Sequence, residues 1–599
     1  MIISKEALVD LQEKYEKVKK LIEEDSKLDP ETEPFLSKYT ARTILISMNA
    51  NLENLMRQEA QDSTDRVKLI GMISMIQLLL GIVSIDTEEL SVGEKHLTKC
   101  KEIIDKSENE PEVAYVTLNL HNQFGILWSK RDPKRAQIYL EDAEKFYNLF
   151  KESGQEPIDP NELFIHNLEI YNSISAWEKF EKLHTLTLYY LAQIHGVLGD
   201  SLKSSIYCHV TLKRQLESKD YDPIDWALNS ATLSQFFMET NGFKQARHHL
   251  AASSHIIEKY EEELNSIMEH NENYSAKIEN FRHRNADIAR CWAKYGLLLM
   301  CNSKERLMKH TEDIESQCTE ITDLSKLTLK EGSSVKTDDL QQLFFPSLNL
   351  KIYEEKITDQ FLLTFDDAKK VFLNVQVWLN KAQEYYTLET LASDYIEIVQ
   401  DQSQAYDSLV FYEENPDNQA KLYKRSIDLL EDVISQVNPT YYMQYCRQIW
   451  FRLGQTYSDM VDIKSDKLKE TNSRPTPHTL NKINSLIEKS IHNFTSFIDS
   501  FRNPKKELPR KVDNDFQKPF LQAYFHIGAL NGRYITLDKT RQLKNCEASV
   551  NAYNNVDKYC KENTEAAELI PSELGIVKEM LQLLPIKIMK LQHEIRQTP

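Results

Sequence analysis

Leu80-Gly-Ile-Val-Ser-Ile-Asp-Thr-Glu-Glu-Leu-Ser-Val-Gly-Glu-Lys-His-Leu-Thr-Lys-Cys100 sets a large apolar residue beside a small one, Gly81. Gly93, Leu97 and Cys100 then follow at 12, 16 and 19 residues beyond Gly81. Steps of four and three hold those three residues on one helical face. Between the two groups, Asp86-Thr-Glu-Glu89 reads as a helix start, with Asp86 as the cap and a Glu three residues on. The stretch therefore predicts two helices folded back on each other. Small residues sit where the axes approach, and large ones fill the space between them.

The same arrangement recurs. Leu191-Ala192, with His195, is followed by Ser204, Cys208 and Thr211 at the same three offsets. Leu233-Ser234, with Phe237, is followed by Ala246, Leu250 and Ser253. Phe124-Gly125, with Trp128, is followed by Ala136, Leu140 and Ala143, each one residue early. Asp132-Pro133 accounts for the tighter turn, Asp as the cap and Pro in the first helical position. Repeated helix pairs with this small–large code are tetratricopeptide-like, so the expected fold class is an all-α solenoid of degenerate pairs. The small positions 81, 125, 192 and 234 are 44, 67 and 42 residues apart. A tetratricopeptide unit usually takes about 34 residues, so helices or loops are enlarged. The longest interval contains Ser153-Gly-Gln-Glu-Pro-Ile-Asp-Pro160, which reads as a loop.

Composition supports helices throughout. Glycine numbers 14 in 599 residues, against a usual level near 7%. Sheets, barrels and nucleotide-binding loops need more of it. The balance of 73 Lys and Arg against 92 Asp and Glu gives a net charge of −19. That disfavours a nucleic-acid binder, which needs clustered cations. It suits either simple solubility or a partner with a basic face. Cys100, Cys208, Cys291, Cys301, Cys318, Cys446, Cys546 and Cys560 form no CxxC and no zinc spacing, so they read as free thiols in a reducing compartment. The start, MIISKEALVD, meets charge too soon for a signal peptide. Ile70–Ile85 is broken by Ser74, Gln77 and Ser84 and reads as short of a membrane span. These features predict a cytoplasmic chain with no membrane insertion; a monomer is expected.

Further along, the pattern loosens. Residues 261–274 and roughly 301–339 turn polar, with Leu324–Leu329 as a possible linking helix. The expected division is an N-terminal repeat subdomain over 1–300, a linker over 301–360 and a helical C-terminal subdomain over 361–599. In the last part, Phe365–Glu413 reads as long amphipathic helices ended by Asn415-Pro416. Leu453-Gly454 with Tyr457 restores the first-helix pattern. A polar insertion over Lys464–Pro477 follows, and then Ser490, Phe494 and Phe497 take the second-helix spacing. Ile527-Gly528 opens a last pair, with Ala548 and Ala552 on the partner helix.

Patterns that carry chemistry are missing. GxGxxG, Walker A, HExxH, GxSxG and EF-hand motifs do not occur, so no catalytic residue, metal site or cofactor is expected. His248-His249 point about 100° apart on a helix and make a poor metal pair. Arg282-His-Arg284 reads as a solvated helix end near a loop. The faces of the first helices are more informative. Residues two before and one after the small position share a face nearly opposite the packing stripe. They are Leu79 and Ile82, Gln123 and Ile126, Tyr190 and Gln193, and Thr232 and Gln235. The last two pairs line up hydroxyl and amide groups as a candidate partner-binding face. An ordinary hydrated surface is the plainer alternative. Lys and Arg, which a groove for acidic chaperone tails would need, are not at these places.

Several long segments resemble one family. They include Ser84-Ile-Asp-Thr-Glu-Glu-Leu-Ser-Val-Gly-Glu94, Gly125-Ile-Leu-Trp-Ser129, Leu188-Tyr-Tyr-Leu-Ala-Gln193 and Thr211-Leu-Lys-Arg-Gln-Leu-Glu217. Ala231-Thr-Leu-Ser-Gln-Phe236, Ile288-Ala-Arg-Cys-Trp292, Ile396-Glu-Ile-Val-Gln-Asp401, Ser37-Lys-Tyr-Thr-Ala-Arg42 and Lys578-Glu-Met-Leu-Gln-Leu-Leu-Pro585 complete the set. The chain is similar to the KIF-binding protein family over nearly its whole length. That resemblance implies a right-handed solenoid of two subdomains joined by a linking helix. It also implies a non-enzymatic partner of kinesin motor domains that keeps the motor from the microtubule. Transport of mitochondria and synaptic vesicles, axon outgrowth and a cytoskeletal association follow as expectations. On the matching segments, the resemblance places motor contacts at Tyr190, Gln193, Gln215 and Thr232; Gln235 comes from spacing alone. Residues 261–280 and those before Ser37 do not match. The rival expectation is a general scaffold that links cargo or cytoskeletal proteins.

Overall fold

Helix starts in this chain are marked by proline and by side-chain caps. Asp132, Asp222, Asn415 and Thr476 each accept a hydrogen bond from a backbone N–H of the first turn, with proline next in line. The cap satisfies an orphan donor, and proline occupies a site whose N–H has no partner. The computed structural model describes residues 5–58, 64–165, 175–267, 271–311, 343–470 and 476–597. Among them no strand occurs, and the architecture is an all-α solenoid of tetratricopeptide-like helix pairs.

The chain forms two compact units, Met1–Gln245 with Glu320–Leu348, and Ala246–Thr319 with Asn349–Pro599. The first holds α1 (Lys5–Glu23), α2 (Leu36–Gln58), α3 (Thr64–Asp86), α4 (Leu90–Ile104) and α5 (Pro111–Trp128). It continues with α6 (Pro133–Ser153), α7 (Pro160–Phe164), α8 (Ala176–Val197), α9 (Ser201–Ser218) and α10 (Pro223–Glu239). The division falls inside α11 (Phe243–Asn265). The second unit continues with α12 (Glu272–Thr311), α13 (Lys351–Glu354), α14 (Phe365–Gln383), α15 (Ala392–Val410), α16 (Pro416–Gln436) and α17 (Pro439–Glu470). It ends with α18 (Pro477–Asp499), α19 (Asn514–Arg533), α20 (Lys539–Glu562), α21 (Thr564–Ala567) and α22 (Pro571–Gln597). Most of the linker expected over 301–360, including Leu324–Leu329 and Cys318, lies outside the described residues.

In the first unit the pairs α3–α4, α5–α6 and α8–α9 pack face to face, and α3, α5 and α8 pack on one another in turn. The small positions do what their spacing predicts. A β-carbon on Gly81 would lie 2.5 Å from Leu97 Cδ2, and one on Gly125 would lie 2.6 Å from Leu140 Cγ. Leu97 and Leu140 are fully buried. Where serine replaces glycine on the second helix, its hydroxyl takes up a carbonyl of the first: Ser204 Oγ donates to Ala192 O at 2.8 Å.

The second unit repeats the device in α17–α18 and α19–α20. There Ser549 Oγ donates to Gly528 O at 2.7 Å, and a β-carbon on Gly528 would lie 2.7 Å from the Tyr553 ring. The residue facing Gly528 is thus Ser549 rather than Ala548, one position on, although Ala552 is buried as expected. One apolar cluster runs from Ile396 to Leu584 through this unit.

Several local expectations are corrected. Asp86 does not cap a helix: it ends α3, and α4 begins at Leu90. Glu88 turns the chain at φ 64°, Glu89 N–H bonds back to Ser84 O at 2.8 Å, and Asp86 pairs with Lys38. The loop over 153–160 ends in α7, because Asp159 caps Asn161 N–H and Pro160 follows it. That turn buries Phe164, which stacks on Tyr15 with ring centroids 4.1 Å apart. Arg282-His-Arg284 lies within α12, where Arg284 pairs with Asp287 and His283 stacks on Tyr385. The polar stretch from Lys464 continues α17 as far as Glu470, and Asn415-Pro416 starts α16 as much as it ends what precedes. Finally, Arg66–Asp86 is long and apolar enough to cross a membrane by length and composition, contrary to the reading of Ile70–Ile85. Its apolar window is 72% buried against the neighbouring helices of the first unit.

Candidate functional site

α8 is amphipathic with an unusually wide buried face. Phe180, Leu183, His184, Thr187, Leu188, Leu191, Ala192, Ile194 and His195 are all buried, against α5, α6 and α9. Leu186, Tyr190, Gln193 and Val197, at steps of four, three and four, are left over; the first two are half-buried and the last two exposed. α10 behaves likewise. Ala231, Leu233, Ser234 and Phe237 are buried, Thr232 is exposed and Gln235 half-buried. Gln123 and Ile126 on α5 are half-buried, and the Gln123 amide donates to Asn119 Oδ1 at 3.3 Å. Leu79 and Ile82 on α3 pack against the apolar cluster of the first repeats. The polar character of this helix face therefore develops from α3 towards α10.

Tyr190 packs edge-on against Tyr189, with ring centroids 5.4 Å apart. Burial, reinforced by Tyr189 and Asp86, raises the Tyr190 phenol above its ordinary value. It thus stays a neutral donor and acceptor at neutral pH.

Gln215 stands elsewhere. It lies on the second helix α9 and lines a cavity of about 920 Å³ with Trp177, Thr185, Tyr189 and Arg214. Tyr190, Gln193, Thr232 and Gln235 do not line that cavity. The floor is a tied network. Arg214 Nε donates to Thr185 Oγ1 at 3.0 Å, and its Nη2 donates to the Glu181 carboxylate. Tyr147 OH donates to Glu181 Oε1 at 2.6 Å, and Lys151 Nζ reaches the same oxygen at 3.0 Å. These bonds, and the charges of Arg214 and Lys151, hold the Glu181 carboxyl below its usual value against the opposing effect of burial. Tyr147 is stacked on His184 at 3.5 Å between centroids.

Sequence reasoning named Gln215 but not its neighbours. Arg214 adjoins Gln215 and Tyr189 adjoins Tyr190, so both were in view. Their convergence with Lys151 and Trp177 needs helices α6, α8 and α9 brought together. Among the described residues, no cluster of three or more His, Cys, Asp or Glu is arranged to hold a metal. The seven described cysteines are free thiols.

A family model described as the C-terminal region of KIF-1 binding protein matches residues 224–591. The KIF-binding protein of Drosophila melanogaster is 39% identical over 98% of each chain. That of Gallus gallus is 36% identical over 97% of each, and that of Homo sapiens 34% identical over 95% of this chain and 96% of its own. A cryo-electron-microscopy structure of KIFBP matches at 28% identity with a TM-score of 0.63, covering 98% of this chain and 100% of that one. Helix pairing, repeat spacing and full-length similarity agree: the chain belongs to the KIF-binding protein family.

Proposed function

We propose that this chain is a non-enzymatic partner of kinesin motor domains, binding them through the leftover faces of α8 and α10. The relatives are named for binding KIF proteins. The observation that carries the reading to residues is the face itself. Tyr190, Gln193, Thr232 and Gln235 sit on helices whose other sides are packed, so they are held in place for an incoming partner. Rigid presentation lowers the ordering cost of binding. Gln215 contributes from α9, at the cavity floored by Arg214 and Glu181. Amide and hydroxyl groups there recognise backbone and neutral polar atoms, which gives specificity by geometry rather than by charge.

The net charge of −19 supplies a longer-range attraction. Kinesin motors meet the acidic microtubule through a basic face, and an acidic partner competes for it. The bound motor is thereby kept off its track, in the cytoplasm and at the cytoskeleton, with consequences for mitochondrial and vesicle transport and axon outgrowth. The test is co-pelleting of purified kinesin motor domains with microtubules, with and without this protein. A motor that leaves the pellet supports inhibition. A ternary complex in the pellet favours a scaffold that links cargo to the cytoskeleton. A motor distribution unchanged by the protein would sink the reading.

A further inference from the structure

The cavity between α6, α8 and α9 has an unbalanced charge inventory. Its three cations are all engaged: Arg214 and Lys151 with Glu181, and Lys182 with Asp220 at 2.8 Å. Two of its carboxylates are not. Glu178 on α8 and Glu217 on α9 line the cavity, are exposed, and have no ion-pair partner among the described residues. The remaining walls include two aromatic side chains, Trp177 and Tyr189. The Trp177 ring is fixed edge-on to Phe180 at 5.7 Å and the Tyr189 ring edge-on to Tyr190.

Four carboxylates against three cations leave the lining with an excess of negative charge. Carboxylates without ion-pair partners beside aromatic side chains are the chemistry that takes a cation: attraction to the charge, and attraction to the ring quadrupole. The cavity volume of about 920 Å³ exceeds one side chain and suits a short protein segment. The tied floor of Tyr147, Glu181 and Arg214 keeps the walls from collapsing.

We propose that this cavity receives a lysine or arginine side chain from a basic segment of the bound protein partner, seated between Glu178, Glu217, Trp177 and Tyr189. The proposal rests on the reading of the chain as a protein-binding solenoid and adds a second, charge-reading anchor beside the neutral face of α8 and α10. Exposed carboxylates at its rim make the contact salt-sensitive.

The test uses the full chain with Glu178→Lys and Glu217→Lys together. A control carries Glu547→Lys and Glu568→Lys, exposed carboxylates of the second unit, which change the net charge equally. Two probes are titrated: a purified kinesin motor domain and a fluorescein-labelled nonalysine peptide. The cavity variant is expected to bind both about tenfold more weakly than the control, with a shallower salt dependence. Glu178→Gln with Glu217→Gln should lose less, and thermal unfolding should match the wild type in all variants. Equal peptide binding by the cavity variant and the control would overturn the proposal, as would equal motor binding by the two where the wild-type chain binds the motor. A wild-type chain that binds no motor but shows the cavity-specific peptide effect would overturn the proposed function and leave the cation site standing.

Discussion

Ser490 donates its hydroxyl to the Gly454 carbonyl at 2.6 Å, across the contact of α17 and α18. The same glycine faces Phe494, whose ring atoms would lie 2.8 Å from a β-carbon there. One crossing thus combines a close backbone approach, a buried polar bond and a filled aromatic slot. Gly454→Ala should force Phe494 aside and cost about 1–3 kcal/mol. Ser490→Ala leaves a helical carbonyl that keeps its own partner, and should cost about 1 kcal/mol. Urea unfolding followed by circular dichroism reads both. A Gly454→Ala midpoint equal to wild type would refute the crossing.

Asp401 on α15 is half-buried. Burial chiefly, with Glu397 adding and Arg290 and Lys294 opposing, pushes its carboxyl up to about 6 from 3.8. The folded state therefore holds its proton more tightly than the unfolded one. Stability from this group is complete below about pH 4 and lost as pH rises through 6. Asp401→Asn should raise the melting temperature at pH 7.5 and leave it nearly unchanged at pH 4. An equal shift at both values would show that the carboxylate carries no burial cost.

His121 and His184 titrate with the opposite sign. Burial pushes His121 down to about 4 and His184 further, from 6.5 in each case. Both nitrogens of His184 and Nδ1 of His121 have no hydrogen-bond partner among the described residues. Their stability is complete above pH 6.5 and is lost as pH falls through the folded values. The first unit should weaken between pH 6 and 4. His184→Phe keeps the stack on Tyr147 and should flatten that acid slope, as read by melting temperature across the range.

Tyr190→Ala with Gln193→Ala tests the proposed binding face directly. Gln193 is exposed and Tyr190 is half-buried at the edge of an apolar cluster, so the melting temperature should fall by only about 2–4 °C, the shift of about 1 kcal/mol. Affinity for a kinesin motor domain, measured by interferometry, should fall roughly tenfold, the scale of one lost aromatic anchor with its polar neighbour. Retained affinity would remove α8 from the interface.

Legibility followed the range of the interactions. The pairings of Gly81 with Leu97 and Gly125 with Leu140 could be read as spacings, because a helix hairpin joins positions less than twenty residues apart. Capping at Asp132 was equally local. The register at Gly528 slipped by one residue, from Ala548 to Ser549, because both are small and only packing of Tyr553 chooses between them. Asp86 misled for a related reason. A cap is decided by the φ of the following residues, and here Glu88 turns the chain before the helix begins.

The sequence by itself determined the all-helical repeat architecture and which side of α8 and α10 is polar, since periodicity alone orients a helix. Tertiary structure alone decided that Gln215 belongs with Arg214, Trp177 and Tyr189 around one cavity, apart from Tyr190. It also decided that Tyr147 and Glu181, 34 residues apart, share a hydrogen bond that ties that cavity's floor. Contacts of that kind depend on how three helices stack, and stacking is set by the volumes of buried side chains rather than by any spacing along the chain.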